Sequence, residues 1–133
     1  MSRNLVFILS IFLLLGVAIS CQKPTEVTTE DLLIGKWVGV ASVPTKVKGE
    51  LVYYHHKLEW IFRENGKYQY IRTLVERSEV VWWEKGRWKV KGSKIFFCIE
   101  ECMERGWKDY SFALEFELGD GFLILGNRVY SRR

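Results

Sequence analysis

The chain has 133 residues, 48% of them hydrophobic, and a formal net charge of +4. Once an export segment is removed, this length is enough for one domain and too short for two independent cores. The basic and acidic side chains are interleaved rather than clustered, which argues against nucleic-acid binding.

The N-terminal segment predicts export. An apolar run from Leu5 to Ile19 follows Arg3, and no acidic residue precedes Glu26. A basic start, an apolar core of about 15 residues and small residues before the cut are typical of a signal peptide, and the run is short for a membrane-spanning helix. We therefore predict a signal peptide over residues 1–20.

The four residues at the predicted cut, Ala18-Ile19-Ser20-Cys21, resemble the lipobox of bacterial lipoproteins, in which the cysteine becomes the lipidated first residue. The resemblance implies a lipid anchor on Cys21 and a membrane as its partner. Because Gln22 rather than aspartate comes next, it also implies a location at the outer membrane. The small residues at the cut equally fit cleavage of an ordinary secreted protein, and an uncleaved anchor is a third alternative.

Residues 21–32 are predicted to form the lipidated cysteine and a tether, because they are polar and lack apolar periodicity. Thr28 or Thr29, followed by Glu30 and Asp31, favours one capped helical turn just before the first strand.

The remainder, 33–133, is predicted to be one all-β domain, because apolar and polar residues alternate along it. Turn signals that contain glycine separate the alternating runs. About eight strands with one apolar face each favour a closed antiparallel up-and-down barrel, since closure removes the exposed sheet edges. We expect strands near 34–42, 50–62, 67–75, 79–84, 87–91, 94–99, 107–118, 122–125 and 128–132, with 79–91 as an alternative single strand bent at Gly86.

Several motifs resemble the small bacterial lipocalin-like domains in their order along the chain. These are Gly35-Lys36-Trp37, the stretch 62–68 (FRENGKY), the stretch 86–95 (GRWKVKGSKI) and the closing segments 122–125 and 129–132. The resemblance implies a non-catalytic envelope lipoprotein with a single lipocalin-like barrel. It also implies that Trp37 packs at the closed end of the barrel, beneath Arg132 or Arg128, in a cation–π contact.

The many aromatic side chains allow two interpretations. They line a pocket at the barrel mouth for a small apolar ligand, or they fill the barrel, because an eight-stranded interior is only just wide enough for side chains. In the filled case the protein is a protein-interaction or envelope-structural module with an envelope protein as partner. Neighbouring residues on a strand face opposite sides, so either Trp82 or Trp83 would face outward and contact that partner. The residues predicted to bind the apolar ligand are Trp60, Phe62, Tyr68, Tyr70, Phe112 and Phe116.

The cysteines predict a disulfide between Cys98 and Cys102, because a lipidated Cys21 leaves these two as a pair in an oxidising compartment. A regular strand would separate their α-carbons by about 13 Å, so the bond requires a turn at residues 99–101.

No chemistry beyond binding is predicted. The adjacent His55 and His56 would diverge on a strand, so we predict no metal site and no cofactor. The sequence has no nucleophile motif, no glycine-rich phosphate loop and no metalloprotease motif. We therefore predict no catalytic residues and no enzyme.

Overall fold

The computed structural model describes residues 27–133. The signal peptide predicted over residues 1–20, the lipidation predicted at Cys21 and the first part of the tether lie outside the described residues. Within 27–133, no helix is both long enough and apolar enough to cross a membrane.

One antiparallel sheet closes into an eight-stranded barrel, in which each strand pairs with the next along the chain and the last pairs with the first. The predicted all-β up-and-down barrel is confirmed. In the described part of the chain one α-helix precedes it, and two short 3-10 turns lie in its connections. The elements are α1 (Thr29–Leu33), β1 (Gly35–Val47), β2 (Glu50–Phe62), β3 (Lys67–Leu74), a 3-10 turn (Val75–Arg77), β4 (Glu79–Lys91), β5 (Lys94–Cys102), a 3-10 turn (Arg105–Trp107), β6 (Ser111–Leu118), β7 (Phe122–Leu125) and β8 (Arg128–Arg132).

The strand bounds differ from the expected ones in four places, one of which is the continuation of β5 past residue 99 to Cys102. Residues 79–91 form the single strand β4 with a register shift near its middle, as the bent-strand alternative predicted. Strand β1 continues to Val47, because it stays paired with β2 up to their turn. Strand β6 begins at Ser111, since residues 105–107 form a 3-10 turn instead of strand.

The connections divide the barrel into two ends. Helix α1 and the β2–β3, β4–β5 and β6–β7 turns lie at one end, which we call the closed end. The β1–β2, β3–β4, β5–β6 and β7–β8 connections lie at the opposite end, which we call the mouth.

Helix α1 covers the closed end. Thr28 caps it, since the Thr28 hydroxyl accepts a hydrogen bond from the Asp31 N–H and the Asp31 carboxylate accepts one from the Thr28 N–H. This reciprocal cap satisfies two backbone donors that the first turn would otherwise leave free. Leu33 at the end of the helix is fully buried in the core. Glu30, within the predicted tether, accepts a hydrogen bond from the Val90 N–H, so the last part of the predicted tether packs on the barrel.

Trp37 and Arg132 hold this end together. The Trp37 indole is fully buried, and its Nε1 donates a hydrogen bond of 2.8 Å to the Leu33 carbonyl. The Arg132 guanidinium lies 4.2 Å from the centroid of the Trp37 ring and donates hydrogen bonds to the carbonyls of Leu32 and Ile34. The predicted pairing of Trp37 with Arg132 is confirmed, and its role is to join β1, β8 and α1.

Aromatic rings fill the half of the barrel next to the closed end. Phe62 is packed at 4.9 Å from Trp88 and 6.2 Å from Phe97, centroid to centroid. Phe97 in turn lies 4.9 Å from Tyr68 and 5.0 Å from Trp60. All five rings are buried. The filled-barrel interpretation therefore holds for this half of the interior.

Candidate functional site

A cavity of about 560 Å³ opens at the mouth, above the packed aromatic rings. Strands β3 to β6 and the β5–β6 connection supply its walls, because alternate residues of each strand face the interior. Most of the lining is aromatic or aliphatic, with one arginine and two glutamates. The lining residues are Tyr70, Arg72, Trp82, Glu84, Ile99, Glu104, Trp107, Tyr110 and Phe112.

A second cavity of about 250 Å³ adjoins the first on the side of β7 and β8. The two share Tyr70, Glu84 and Phe112, so they lie side by side at the mouth. The smaller cavity is the more polar of the two. Its other lining residues are Trp60, Leu114, Leu125, Gly126, Asn127, Arg128 and Tyr130.

Glu84 is the buried carboxylate between the two cavities, with 6% of its surface exposed. One of its oxygens accepts a hydrogen bond of 2.5 Å from the Tyr68 hydroxyl, and the other accepts one of 2.8 Å from Trp82 Nε1. Burial and the bond to Glu84 raise the pKa of Tyr68, so that this phenol stays protonated and donates. A buried carboxylate is costly unless it is hydrogen-bonded, and these two donors meet that need and fix the position of Trp82.

Arg72 lies at the end of β3, on the wall of the larger cavity. Its Nε donates a hydrogen bond of 2.7 Å to His56 Nδ1, which requires that nitrogen to be unprotonated. Burial and the charge of Arg72 both lower the pKa of His56, which keeps the imidazole neutral. Within residues 27–133 Arg72 makes no ion pair, so its remaining N–H groups are available to a ligand.

Trp60 forms part of the wall of the smaller cavity, and its Nε1 is buried without a hydrogen-bond partner among the described residues. The Tyr130 hydroxyl is near enough to the indole for Trp60 to affect the pKa of the phenol, but the two groups lack hydrogen-bond geometry. Burial raises the pKa of Tyr130, and that of Tyr70 to about 12. Both phenols are therefore protonated at neutral pH.

Three of the six residues predicted to bind a ligand line the cavities. Tyr70 and Phe112 line both, and Trp60 lines the smaller one. The structure places Phe62 and Tyr68 in the packed half of the barrel, where they are 1% and 2% exposed. Phe116 packs against the core on β6, also outside both cavities.

Sequence reasoning missed Arg72 and Glu84, although both leave a signal. Arg72 continues the inward series that begins with Tyr68 and Tyr70, and Glu84 shares the inward face of β4 with Trp82. A charged residue at a strand position that alternation assigns to the interior indicates a candidate site, because buried charges need partners or a function.

Trp82 and Trp83 do face opposite sides, as strand geometry predicted. Trp82 points into the larger cavity, so the expectation that it serves as an outward anchor is wrong. Trp83 is the outer residue of the pair and is partly buried, with Lys85 Nζ 5.7 Å from its ring centroid. This contact covers part of the ring.

The predicted turn at residues 99–101 is wrong, and Cys98 and Cys102 are free thiols. Strand β5 runs through both cysteines and stays paired with β4 as far as Cys102. The Cys102 thiol donates instead to the Glu104 carbonyl at 2.8 Å. Within residues 27–133, no three side chains of the metal-binding types come together.

No family model matches the chain, and no curated protein matches it. Among solved structures, the chain is similar in fold to a lipoprotein YedD from Klebsiella pneumoniae, with 13% sequence identity and a TM-score of 0.49. The match covers 76% of this chain and 71% of that one. A likeness at this level carries no inference about function.

Proposed function

We propose that the protein is an exported, lipid-anchored envelope protein whose barrel binds a small, largely apolar molecule at its mouth, without catalysis. The observation that carries the binding role is the aromatic-walled cavity of about 560 Å³ above a packed floor. Ligand sites in proteins are concave, mostly apolar and of about 300 to 1,000 Å³, with a few placed polar groups.

The rim of the larger cavity supports this role. Trp107 and Tyr110, which lie 5.2 Å apart in an edge-to-face arrangement, are 44% and 49% exposed. Both lie next to Phe112 on the approach to the cavity, so that the connection between β5 and β6 presents aromatic surface to the opening. A bound apolar molecule would remove this surface from water and so gain hydrophobic free energy.

A neutral fluorescent probe tests the binding role. We expect N-phenyl-1-naphthylamine to bind with increased fluorescence, and Trp107→Ala to weaken its affinity about 5- to 10-fold, because the variant removes an aromatic wall worth about 1 to 1.4 kcal/mol. Trp107 is exposed on the connection between β5 and β6, outside the packed half of the barrel, so the barrel should fold unchanged. Phe96→Ala is the matched control, since Phe96 is 42% exposed and faces outward from β5. Equal loss in the two variants, or no binding at all, would contradict a ligand site at the mouth.

The proposed anchor has a geometric consequence. The chain enters the barrel through α1 at the closed end, opposite the mouth. The seven residues 22–28 can reach at most about 25 Å when fully extended. A lipid on Cys21 would therefore hold the closed end near the membrane and leave the mouth facing away from it, where a soluble ligand can enter.

Metabolic labelling tests the anchor. We expect Cys21→Ser to abolish incorporation of labelled palmitate and to release the protein from membranes, because a protein held by its acyl chains loses its attachment with them. Cys98→Ser is the matched control and should remain labelled. If Cys21→Ser is still labelled and sediments with membranes, the lipoprotein assignment is wrong.

One observation favours the alternative of a protein-interaction module. Residues 43–54 of β1 and β2 pair only with each other and form a ribbon that extends past the mouth. Val47, Leu51 and Tyr53 on this ribbon are 37%, 56% and 56% exposed. If the neutral probe fails to bind, this ribbon becomes the surface on which to look for a partner.

A further inference from the structure

We propose that the ligand of the mouth carries an oxyanionic head group, a carboxylate or a phosphate, which lies in the smaller cavity against Trp60 and Arg128 while the apolar body fills the larger one. This inference rests on the proposed binding role. It specifies the chemistry of the head group and the cavity that holds it.

The first support is the unpartnered indole. Trp60 is 5% exposed, and its Nε1 makes no hydrogen bond within residues 27–133. An indole N–H can only donate, and buried donors in native structures are satisfied in the great majority of cases. Trp60 lines the smaller cavity, so the unsatisfied donor belongs to a side chain in the wall of that cavity, beside the Tyr130 hydroxyl.

The second support is the excess of donors around the same space. Arg128, Asn127, Tyr70 and Tyr130 line the smaller cavity together with Trp60. Both phenols stay protonated, because burial raises their pKa values. Arg128 makes no ion pair in the described part of the chain. Five donor-bearing side chains therefore surround a cavity whose one carboxylate, Glu84, already accepts from Tyr68 and Trp82.

Arg72 adds positive potential from the neighbouring wall. Its charge, like that of Arg128, acts on both Tyr70 and Tyr130, and the hydrogen bond to the neutral His56 holds the guanidinium in place without neutralising it. An oxyanion suits this arrangement, because arginine binds carboxylate and phosphate through charge-assisted hydrogen bonds. A cationic head would face Arg128, and an apolar head would leave the Trp60 N–H unpaired.

The two cavities divide the ligand between them. The larger one offers Trp82, Ile99, Phe112 and Trp107 to an apolar or aromatic body. It also contains the rim, through which such a body would reach solvent. The head would then lie in the smaller cavity, against the packed ring of Trp60 and beside the β7–β8 connection.

Two dyes that differ only in the head group test the inference. We expect 1-anilinonaphthalene-8-sulfonate to bind at least 10-fold more tightly than its neutral parent, N-phenyl-1-naphthylamine. Arg128→Gln should weaken the anionic dye about 5- to 10-fold and the neutral dye less than 2-fold. Arg63→Gln is the matched control, because it removes the same charge at an exposed position of the closed end and should leave both affinities unchanged.

The Trp60→Phe variant distinguishes the contribution of the indole N–H to binding from that of the aromatic ring. This variant keeps an aromatic floor of smaller size and removes the donor, so we expect the anionic dye to lose about 3- to 5-fold more affinity than the neutral dye. The thermal midpoint of each variant without dye shows whether the barrel is intact.

Displacement of the anionic dye by compounds with the same alkyl chain identifies the chemistry of the head group. Dodecanoate and dodecyl phosphate should each displace the anionic dye at concentrations at least 10-fold below that of dodecanol, and the tighter of the two indicates whether the site favours a carboxylate or a phosphate. Equal displacement by dodecanol, or equal loss of both dyes in Arg128→Gln, would overturn the oxyanion inference while leaving the binding role standing. If neither dye binds the unaltered protein, the proposed binding role is overturned, and this inference with it.

Discussion

Replacing Trp37 with alanine is expected to lower the free energy of unfolding by about 3 to 5 kcal/mol, the range found when a large buried aromatic side chain is removed. The ring is fully buried, its Nε1 is bonded to the Leu33 carbonyl at 2.8 Å, and the Arg132 guanidinium packs 4.2 Å from its centroid. Its loss would therefore open a cavity beneath α1 and remove the contact between Trp37 of β1 and Arg132 of β8. Chemical denaturation followed by far-UV circular dichroism would measure the loss.

Two variants make the Trp37 result specific. Trp37→Phe keeps a smaller ring under Arg132 and removes the bond to Leu33, so we expect it to cost about 1 to 2 kcal/mol, the scale of one hydrogen bond and a small volume change. Trp83→Ala removes an equally large ring from the outer face and should cost about 1 kcal/mol or less. If Trp37→Ala costs no more than Trp83→Ala, the closed end is not held together through Trp37.

The fold was predictable because alternation reports which face of a strand is buried. Alternating runs such as 110–118 and the glycine turns between them predict antiparallel hairpins. An open sheet of these strands would have two exposed edges, and closure into a barrel removes them. The Trp37–Arg132 pair was predictable only through the lipocalin-like resemblance. Nothing in the local pattern says that residues 95 positions apart meet, since that contact depends on the last strand returning to the first.

Depth within the barrel was not predictable in the same way. Tyr68 and Tyr70 share the inward face of β3, yet Tyr68 is packed in the filled half and Tyr70 lines the cavities. Alternation assigns both to the interior, but their height depends on the register of all eight strands. Phe62 was misassigned to the ligand for the same reason.

The cysteine prediction failed on a related point. A disulfide between Cys98 and Cys102 requires a turn at residues 99–101, whereas β5 runs through both cysteines with a register shift. Opposite Lys85 and Gly86, strand β5 carries one extra residue, Glu100. Its carboxylate is held outside the barrel by Lys67 at 2.8 Å and Arg87 at 2.7 Å. Such bulges bend a strand without ending it.

Gly86→Ala is expected to destabilise the protein by about 3 kcal/mol or more, because it collides with the backbone of this bulge. A β-carbon at Gly86 would lie 1.9 Å from the Cys98 carbonyl oxygen and 2.9 Å from its carbon. Overpacking of a core side chain costs about 1 to 3 kcal/mol, and here the obstacle is main chain that is paired on both sides and cannot rotate away.

The same substitution should also weaken binding at the mouth. Glu84 lies two residues before Gly86 on the same inward face, so a shift of β4 relative to β5 would move the carboxylate that positions Trp82. Gly106→Ala is the matched control, since a β-carbon there meets nothing within 4 Å, and we expect it to stay within about 0.5 kcal/mol of the parent. Denaturation and neutral-dye titration of both variants measure the two effects. A Gly86→Ala protein as stable as Gly106→Ala would mean that the bulge does not set the register on which the cavities depend.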